Sequence, residues 1–276
     1  MSTIALLGKP EGLMLSLMLK LVRLDKRFYT DKECLEALQK TDSTMVEFCI
    51  NPPAELASDV DYVVIFGSNG QEKVEVSRLE YKYSVYIDSS PVKKNPHDCF
   101  IQISDLIPSH AEDELASADL RLLNSAPNDI DPNKQHWWVG EVDVIEALST
   151  ILSNPNHVLS HSNLHICGRR SWKFKDILSE YELLLNRTKD GQTGHFAPKN
   201  LANPKPPGIE LQELGTGLVK LESMDKIEEL QIEEVALPTR PDLGPLHSVL
   251  KEINGEGWRQ TQPIRQALMI YLASLV

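Results

Sequence analysis

The chain of 276 residues is 41% hydrophobic and 25% charged, an ordinary globular composition that excludes a fibrous or wholly disordered protein. Its net charge of -12, from 28 basic and 40 acidic residues, speaks against a general nucleic-acid or anionic-membrane binder, because a surface that tracks phosphates needs a cationic field.

Ile4 to Leu7 is a short apolar run that meets Gly8, and Leu13 to Arg23 follows with good helix formers, so the chain opens as strand, glycine turn and helix. Arg27 to Thr30 reads as a second strand ending at Asp31, and Met45 to Ile50 as a third, closed by Asn51, Pro52 and Pro53. Tyr62 to Phe66 is a continuous β-branched and aromatic run, as suits a strand covered on both faces. The stretch from Lys73 to Asp88, with Val74, Leu79, Val85 and Tyr86 among its apolar residues, reads as a helix. Phe100 to Ile103 is then the fifth strand and Leu120 to Leu123 the sixth. Val142 to Ser153 reads as a helix, Leu164 to Cys167 as a strand ending at Gly168, and Trp172 to Asn186 as an amphipathic helix. Residues 188–208 form a polar linker, Glu210 to Glu234 an acidic solvated face, and two helices follow over Pro245 to Ile253 and Ile264 to Ser274.

Strands alternating with helices predict an α/β fold, a Rossmann-like doubly wound parallel sheet with a small α-rich C-terminal substrate lobe. The expected division is 1–160 for the sheet domain and 161–276 for the lobe, with about 161–168 adding a strand to the sheet. Cys34, Cys49, Cys99 and Cys167 are widely spaced with no Cys-x-x-Cys, and they read as buried reduced thiols of a cytoplasmic protein. The longest apolar stretch, Leu13 to Val22, is interrupted by Ser16 and Lys20 and is too short to span a bilayer.

Gly8 and Gly12 occupy the first strand-to-helix turn, where a dinucleotide-binding protein lets backbone amides approach a pyrophosphate. The spacing Gly-x-x-Gly-x-x-Gly is broken, since Glu11 and Met14 stand at the second and third positions counted from Gly8. Asp31, about twenty residues on at a strand end, is where an acid would hold the adenosine ribose, and is equally suited to capping the helix behind it. His157, His161 and His165 recur every fourth residue, but Pro155 before them and the strand around His165 break the helix that would align them. His165 and Cys167 on one strand face would make a pair of ligands at best, so no metal is expected. Trp137 and Trp138 read as packing residues.

Read together, several segments resemble extended short-chain dehydrogenases/reductases, the NAD-dependent epimerase/dehydratase family. Ser58 to Gly67 looks like that family's fourth strand, and Phe100 to Ser104 like the fifth, which delivers the catalytic serine or threonine. Trp138 to Leu148 resembles the strand-and-helix segment with a characteristic aspartate after the sixth strand. His165 to Gly168 with Ser171 to Ile177 is similar to the strand and helix of the substrate lobe, and Arg240 to Leu268 to the last two helices.

In that family a Tyr-x-x-x-Lys helix supplies the acid/base of the redox step and much of the dimer seam. None of the seven tyrosines here has a lysine four residues later. Only about ten residues separate Pro108 from Leu120, where this reading expects that helix. Ser104 stands near the catalytic serine as a vestige, while Leu106 occupies the usual catalytic position. The resemblance implies that Arg240, of Arg240-Pro241-Asp242, pairs with a substrate diphosphate, with Arg169 and Arg170 adding charge to the cleft.

The function expected is therefore a degenerate family member without the Ser/Tyr/Lys chemistry. It would hold NAD(P) weakly or not at all, and would bind a small anionic ligand or nucleotide-sugar together with a protein partner or a second copy of itself. Two other readings stand beside it: an enzyme that uses the same cleft for isomerisation, elimination or hydrolysis, and an NAD(P)-dependent epimerase or reductase with unconventional residues.

Overall fold

The structure is a computed structural model and describes residues 3–42, 50–51, 60–77, 79–91, 97–110, 113–123, 130–193 and 240–275. It contains two compact units, one of Met1–Tyr181 with Arg240–Val276 and one of Glu182–Thr239. In the second, the described residues 182–193 are helical.

The first unit is built on a seven-stranded sheet in which every paired strand is parallel. Its strands are β1 (Ile4–Leu7), β2 (Phe28–Thr30), β3 (Ile50–Asn51), β4 (Val60–Phe66), β5 (Tyr81–Asp88) and β6 (Cys99–Ile103), joined by a later strand, Asn163–Ile166. Between them lie α1 (Gly12–Arg23), α2 (Lys32–Thr41) and α3 (Gly67–Ser77). After β6 come β7 (Leu106–Ile107), the short α4 (Ala118–Leu122), β8 (Gln135–His136), β9 (Val139–Gly140) and α5 (Glu141–Leu152). A 3-10 turn over Pro155–Ser160 leads to β10, the Asn163–Ile166 strand. The described chain ends with β11 (Trp172–Lys173), α6 (Phe174–Thr193), α7 (Gly244–Asn254) and α8 (Ile264–Leu275). The strand order is β10-β6-β5-β4-β1-β2-β3, with the reversal of a doubly wound sheet at β1/β4.

Burial follows the sequence pattern. Leu6, Val64, Val85, Ile87 and Ile101 on one sheet face pack under α1, α5 and α7, which contribute Leu13, Leu17, Leu148, Ile151, Leu246 and Val249. On the other face Ala5, Leu7, Val63 and Ile65 meet Val74 of α3. Gly70 is needed where α3 crosses β1, since a Cβ there would stand 2.5 Å from the Leu7 carbonyl oxygen. Asp143 in the first turn of α5 is buried and accepts the Thr261 backbone N–H at 2.9 Å and the Gln262 N–H at 3.1 Å, tying α5 to the loop before α8. Trp137 and Trp138 are buried, as expected of packing residues.

Four expectations need correction. Tyr81 to Asp88 is not the end of a helix but an interior strand, β5, paired on both edges, so that the helix ends at Ser77. Phe100 to Ile103 is consequently the sixth strand and not the fifth. Leu120 to Leu123 is not a strand, because Ala118–Leu122 forms a single helical turn and a half. Trp172 and Lys173 pair antiparallel with β8 before α6 begins. The third strand is described only at Ile50–Asn51, and Met45 to Cys49 lie outside the described residues, as do most of the linker and the acidic stretch before Arg240. Among the described residues no helix is long and apolar enough to cross a membrane.

Candidate functional site

The turn after β1 shows what the glycine pattern builds. Gly12, the first residue of α1, is left-handed, with φ +54. The Leu13 N–H donates to Asp113 Oδ2 at 2.6 Å, and the other oxygen of that carboxylate accepts from the Leu115 N–H at 2.8 Å. Asp113 is only 3% exposed, and a Cβ on Gly12 would collide with its carboxylate. Burial pushes the Asp113 carboxyl above its ordinary value against the pull of those two N–H groups, and Glu141 adds to the rise.

Around this carboxylate the space is closed. A Cβ on Gly8 would sit 2.5 Å from Met14 Sδ and 2.7 Å from Phe66 Cβ. The remaining cavity, lined by Lys9, Glu11, Met14, Phe66, Asp113 and Glu114 among others, measures about 10 Å³. Burial and the neighbouring Asp113 raise the Glu114 carboxyl as well, with Asp88 and Glu11 adding to the effect and Lys9 opposing it.

Asp31 is also committed. It caps α2 by accepting the Cys34 N–H at 2.9 Å and pairs with Lys73 of α3 at 3.0 Å. Lys73 Nζ donates further to the Gly8 carbonyl at 2.7 Å and to Glu33 at 2.9 Å. Burial works to lower its ammonium, but the hydrogen bonds to Glu33 and Asp31 outweigh it and hold the group above its ordinary value. A dinucleotide needs a free helix N-terminus for its pyrophosphate and a free acid for its ribose. In this structure Asp113 and Met14 stand at the first place and Lys73 pairs with the acid at the second.

A cavity of about 460 Å³ opens beside the ends of β5 and β6, within the range of small-molecule sites. Its lining includes Ser89 and Ser90 after β5, Ser104 and Asp105 after β6, and His136 of β8. With β5 correctly placed, Ser89 and Ser90 follow the fifth strand, and Ser104 follows the sixth. Ser104 donates its backbone N–H to the Ile166 carbonyl at 3.0 Å.

The side chain best held in this cavity is His136, which is 3% exposed. Nδ1 lies 2.8 Å from Asp105 Oδ1, while the other Asp105 oxygen accepts the Trp137 N–H at 2.7 Å. The ring stacks on Trp138 with centroids 4.6 Å apart. Nε2 is 3.2 Å from Asp119 Oδ2 but out of line for a hydrogen bond, and Asp119 also pairs with Lys134. Asp105 is one of two left-handed non-glycine residues among those described, at φ +53. Non-glycine residues held in that region cluster at functional sites.

Of the residues singled out from sequence, the structure brings Gly8 and Asp31 together through Lys73, and brings Arg240 to Arg169, whose carbonyl accepts from the guanidinium at 3.4 Å. Neither arginine lines the large cavity. Asp242, just before α7, accepts the Gly244 N–H at 2.8 Å. His157 lies in the 3-10 turn and His165 on β10, so the three histidines share no helix face. Among the described residues no three His, Cys, Asp or Glu side chains are placed to hold a metal ion. Asp113, Lys73, Asp105, Asp119 and His136 were not visible as site residues in the sequence. Asp113 reaches a turn one hundred positions away, and nothing local marks it.

No known family profile matches the sequence, and no curated protein matches it. Solved structures do. The reductase domain of an aureusimine biosynthetic cluster superposes with a TM-score of 0.52 at 11% identity, over 99% of this chain and 90% of that one. The chain shares the Rossmann-like α/β fold of that reductase domain. Weaker likenesses, on which nothing is built, include Gre2 of Candida albicans in complex with NADPH (TM-score 0.46, 9% identity, 69% of this chain and 84% of that one). Another is a UDP-glucuronic acid 4-epimerase variant of Bacillus cereus with NAD (TM-score 0.45, 10% identity, 67% and 83%).

Proposed function

We propose that this chain is a diverged relative of the extended short-chain dehydrogenases that has lost the nicotinamide redox step and serves as a ligand- or partner-binding subunit. The observation that carries this reading is the connection between β5 and β6. It spans ten residues, 89–98, and holds no Tyr-x-x-x-Lys, in the place where the fold's redox enzymes carry the helix with their proton shuttle. The closed pyrophosphate seat agrees with it. The cavity beside Ser89, Ser104 and His136 is where a small polar ligand would be held, and a sugar-nucleotide or secondary-metabolite setting follows from the resemblance alone.

A second reading is favoured by one feature, the His136 ring oriented by Asp105 and flanked by Asp119. An imidazole fixed at Nδ1 by a carboxylate can take and return a proton at Nε2, which suits a non-redox isomerisation or elimination.

Titration calorimetry with NAD(H) and NADP(H) tests the first reading. We expect no binding tighter than about millimolar, roughly -4 kcal/mol. Micromolar binding of either dinucleotide to the wild-type protein would overturn it.

A further inference from the structure

We propose that Asp113 is a built-in replacement for the nucleotide pyrophosphate, and that the segment 113–123 carrying it is a plug held in the old cofactor seat by its own latch. This rests on the reading that the dinucleotide is not held, and adds what holds the seat shut.

The carboxylate nearest the start of helix α1, that of Glu11, is turned to Lys9. Its N-cap residue, Glu11, makes no side-chain capping bond, and the first turn contains no acidic residue. The partial positive charge and free N–H groups of a helix start call for an anion. Here that anion arrives from elsewhere in the chain, as the Asp113 carboxylate on the Leu13 N–H. It occupies the place that the left-handed Gly12 keeps free of any side chain.

The plug is organised as a unit. Arg121 folds back on it, donating to the Asp113 carbonyl at 2.7 Å and the Glu114 carbonyl at 3.2 Å. Ser117 is held to β7 by its N–H on the Leu106 carbonyl at 3.2 Å. At its far end Asp119 is latched by Lys134 and lies 3.2 Å from His136 Nε2. Residues 114–119 and 121 of this segment also form a wall of the large cavity. Seat and cavity therefore share one wall, and a ligand that packs against it in the cavity would strengthen the plug against any anion competing for the seat.

The test is thermal unfolding of the full chain in the presence of inorganic pyrophosphate, for wild type, Asp113→Ala, Asp113→Asn and the charge control Glu114→Gln. Both Asp113 variants should gain a saturable, concentration-dependent rise in Tm, while wild type and Glu114→Gln stay unchanged at the same concentrations. Should Asp113→Ala fail to fold, Asp113→Asn, which keeps the volume, carries the measurement. The proposal falls if pyrophosphate leaves the Asp113 variants unmoved. It falls equally if wild type or Glu114→Gln responds as strongly, since the effect would then be one of general charge. Pyrophosphate failing on the variants removes only the plug, whereas micromolar NAD(H) on wild type removes the loss of cofactor binding itself.

Discussion

Lys73 Nζ, on the helix after β4, lies 3.0 Å from Asp31 Oδ2 at the end of β2, and its other donors reach Gly8 and Glu33. One ammonium thus closes the ends of β1 and β2 and spends the acid that would otherwise face a ribose. Replacing Lys73 with Met should cost about 1–3 kcal/mol, because a charged, four-fifths-buried hydrogen-bonding centre is lost and the Gly8 carbonyl is left short of a partner. Urea unfolding measures it, and a change within about 0.5 kcal/mol would show the cluster to be an ordinary surface pair.

Gly12 and Gly255 separate strain from space. Both are left-handed, at φ +54 and +80, so alanine at either position costs about 1–2 kcal/mol for the backbone alone. At Gly255, after α7, nothing lies within 4 Å of an added Cβ, whereas at Gly12 the Asp113 carboxylate would be struck. Gly12→Ala should accordingly lose more stability than Gly255→Ala, by about 1 kcal/mol or more. Equal losses would mean that Asp113 yields freely.

The pH dependence of stability has a sign set by Asp113. Its carboxyl is raised in the folded state, so the folded protein binds that proton more tightly than the unfolded chain. Stability should then fall as pH rises from the ordinary Asp value of about 3.9 through the raised one, and return on acidification. Asp61 acts with the opposite sign. Its hydrogen bond to Lys82 leads the causes that hold it at about 2, so its contribution is lost only as pH falls below the ordinary range. Above about pH 4 the raised Asp113 and Glu114 carboxyls act with the same sign, and the difference between wild type and Asp113→Asn in chemical unfolding isolates the Asp113 share. The slope there should flatten in Asp113→Asn, and an unchanged slope would count against a buried, ionising carboxyl.

Cys34, Cys99 and Cys167 are buried, and burial above all pushes each thiol up to about 12. In native protein at pH 8 these three should resist a thiol reagent, and all three should label once the chain is unfolded. Mass mapping of the adducts reads the result; rapid native labelling of any of them would contradict its placement in the core. Cys49 lies outside the described residues.

The sequence by itself determined the elements whose signals are local: Ile4 to Leu7 before a glycine, the apolar run ending at Phe66, a helix over Val142 to Ser153, and the two last helices joined through Asn254 to Trp258. Period and turn residues act within a few positions, so they are legible without a partner. It also determined that the chain carries no Tyr-x-x-x-Lys, a fact that needs no coordinates.

Tertiary structure decided the rest. Tyr81 to Asp88 follows α3 with no glycine or proline break, and only its pairing with β4 and β6 makes it a strand. Leu120 to Leu123 was ambiguous for the same reason, as a short apolar run has no period long enough to tell helix from strand. Asp113 on Leu13, Lys73 on Asp31 and His136 on Asp105 join residues 100, 42 and 31 positions apart. Their roles depend on which empty place the folded backbone leaves beside them, and no local pattern carries that information.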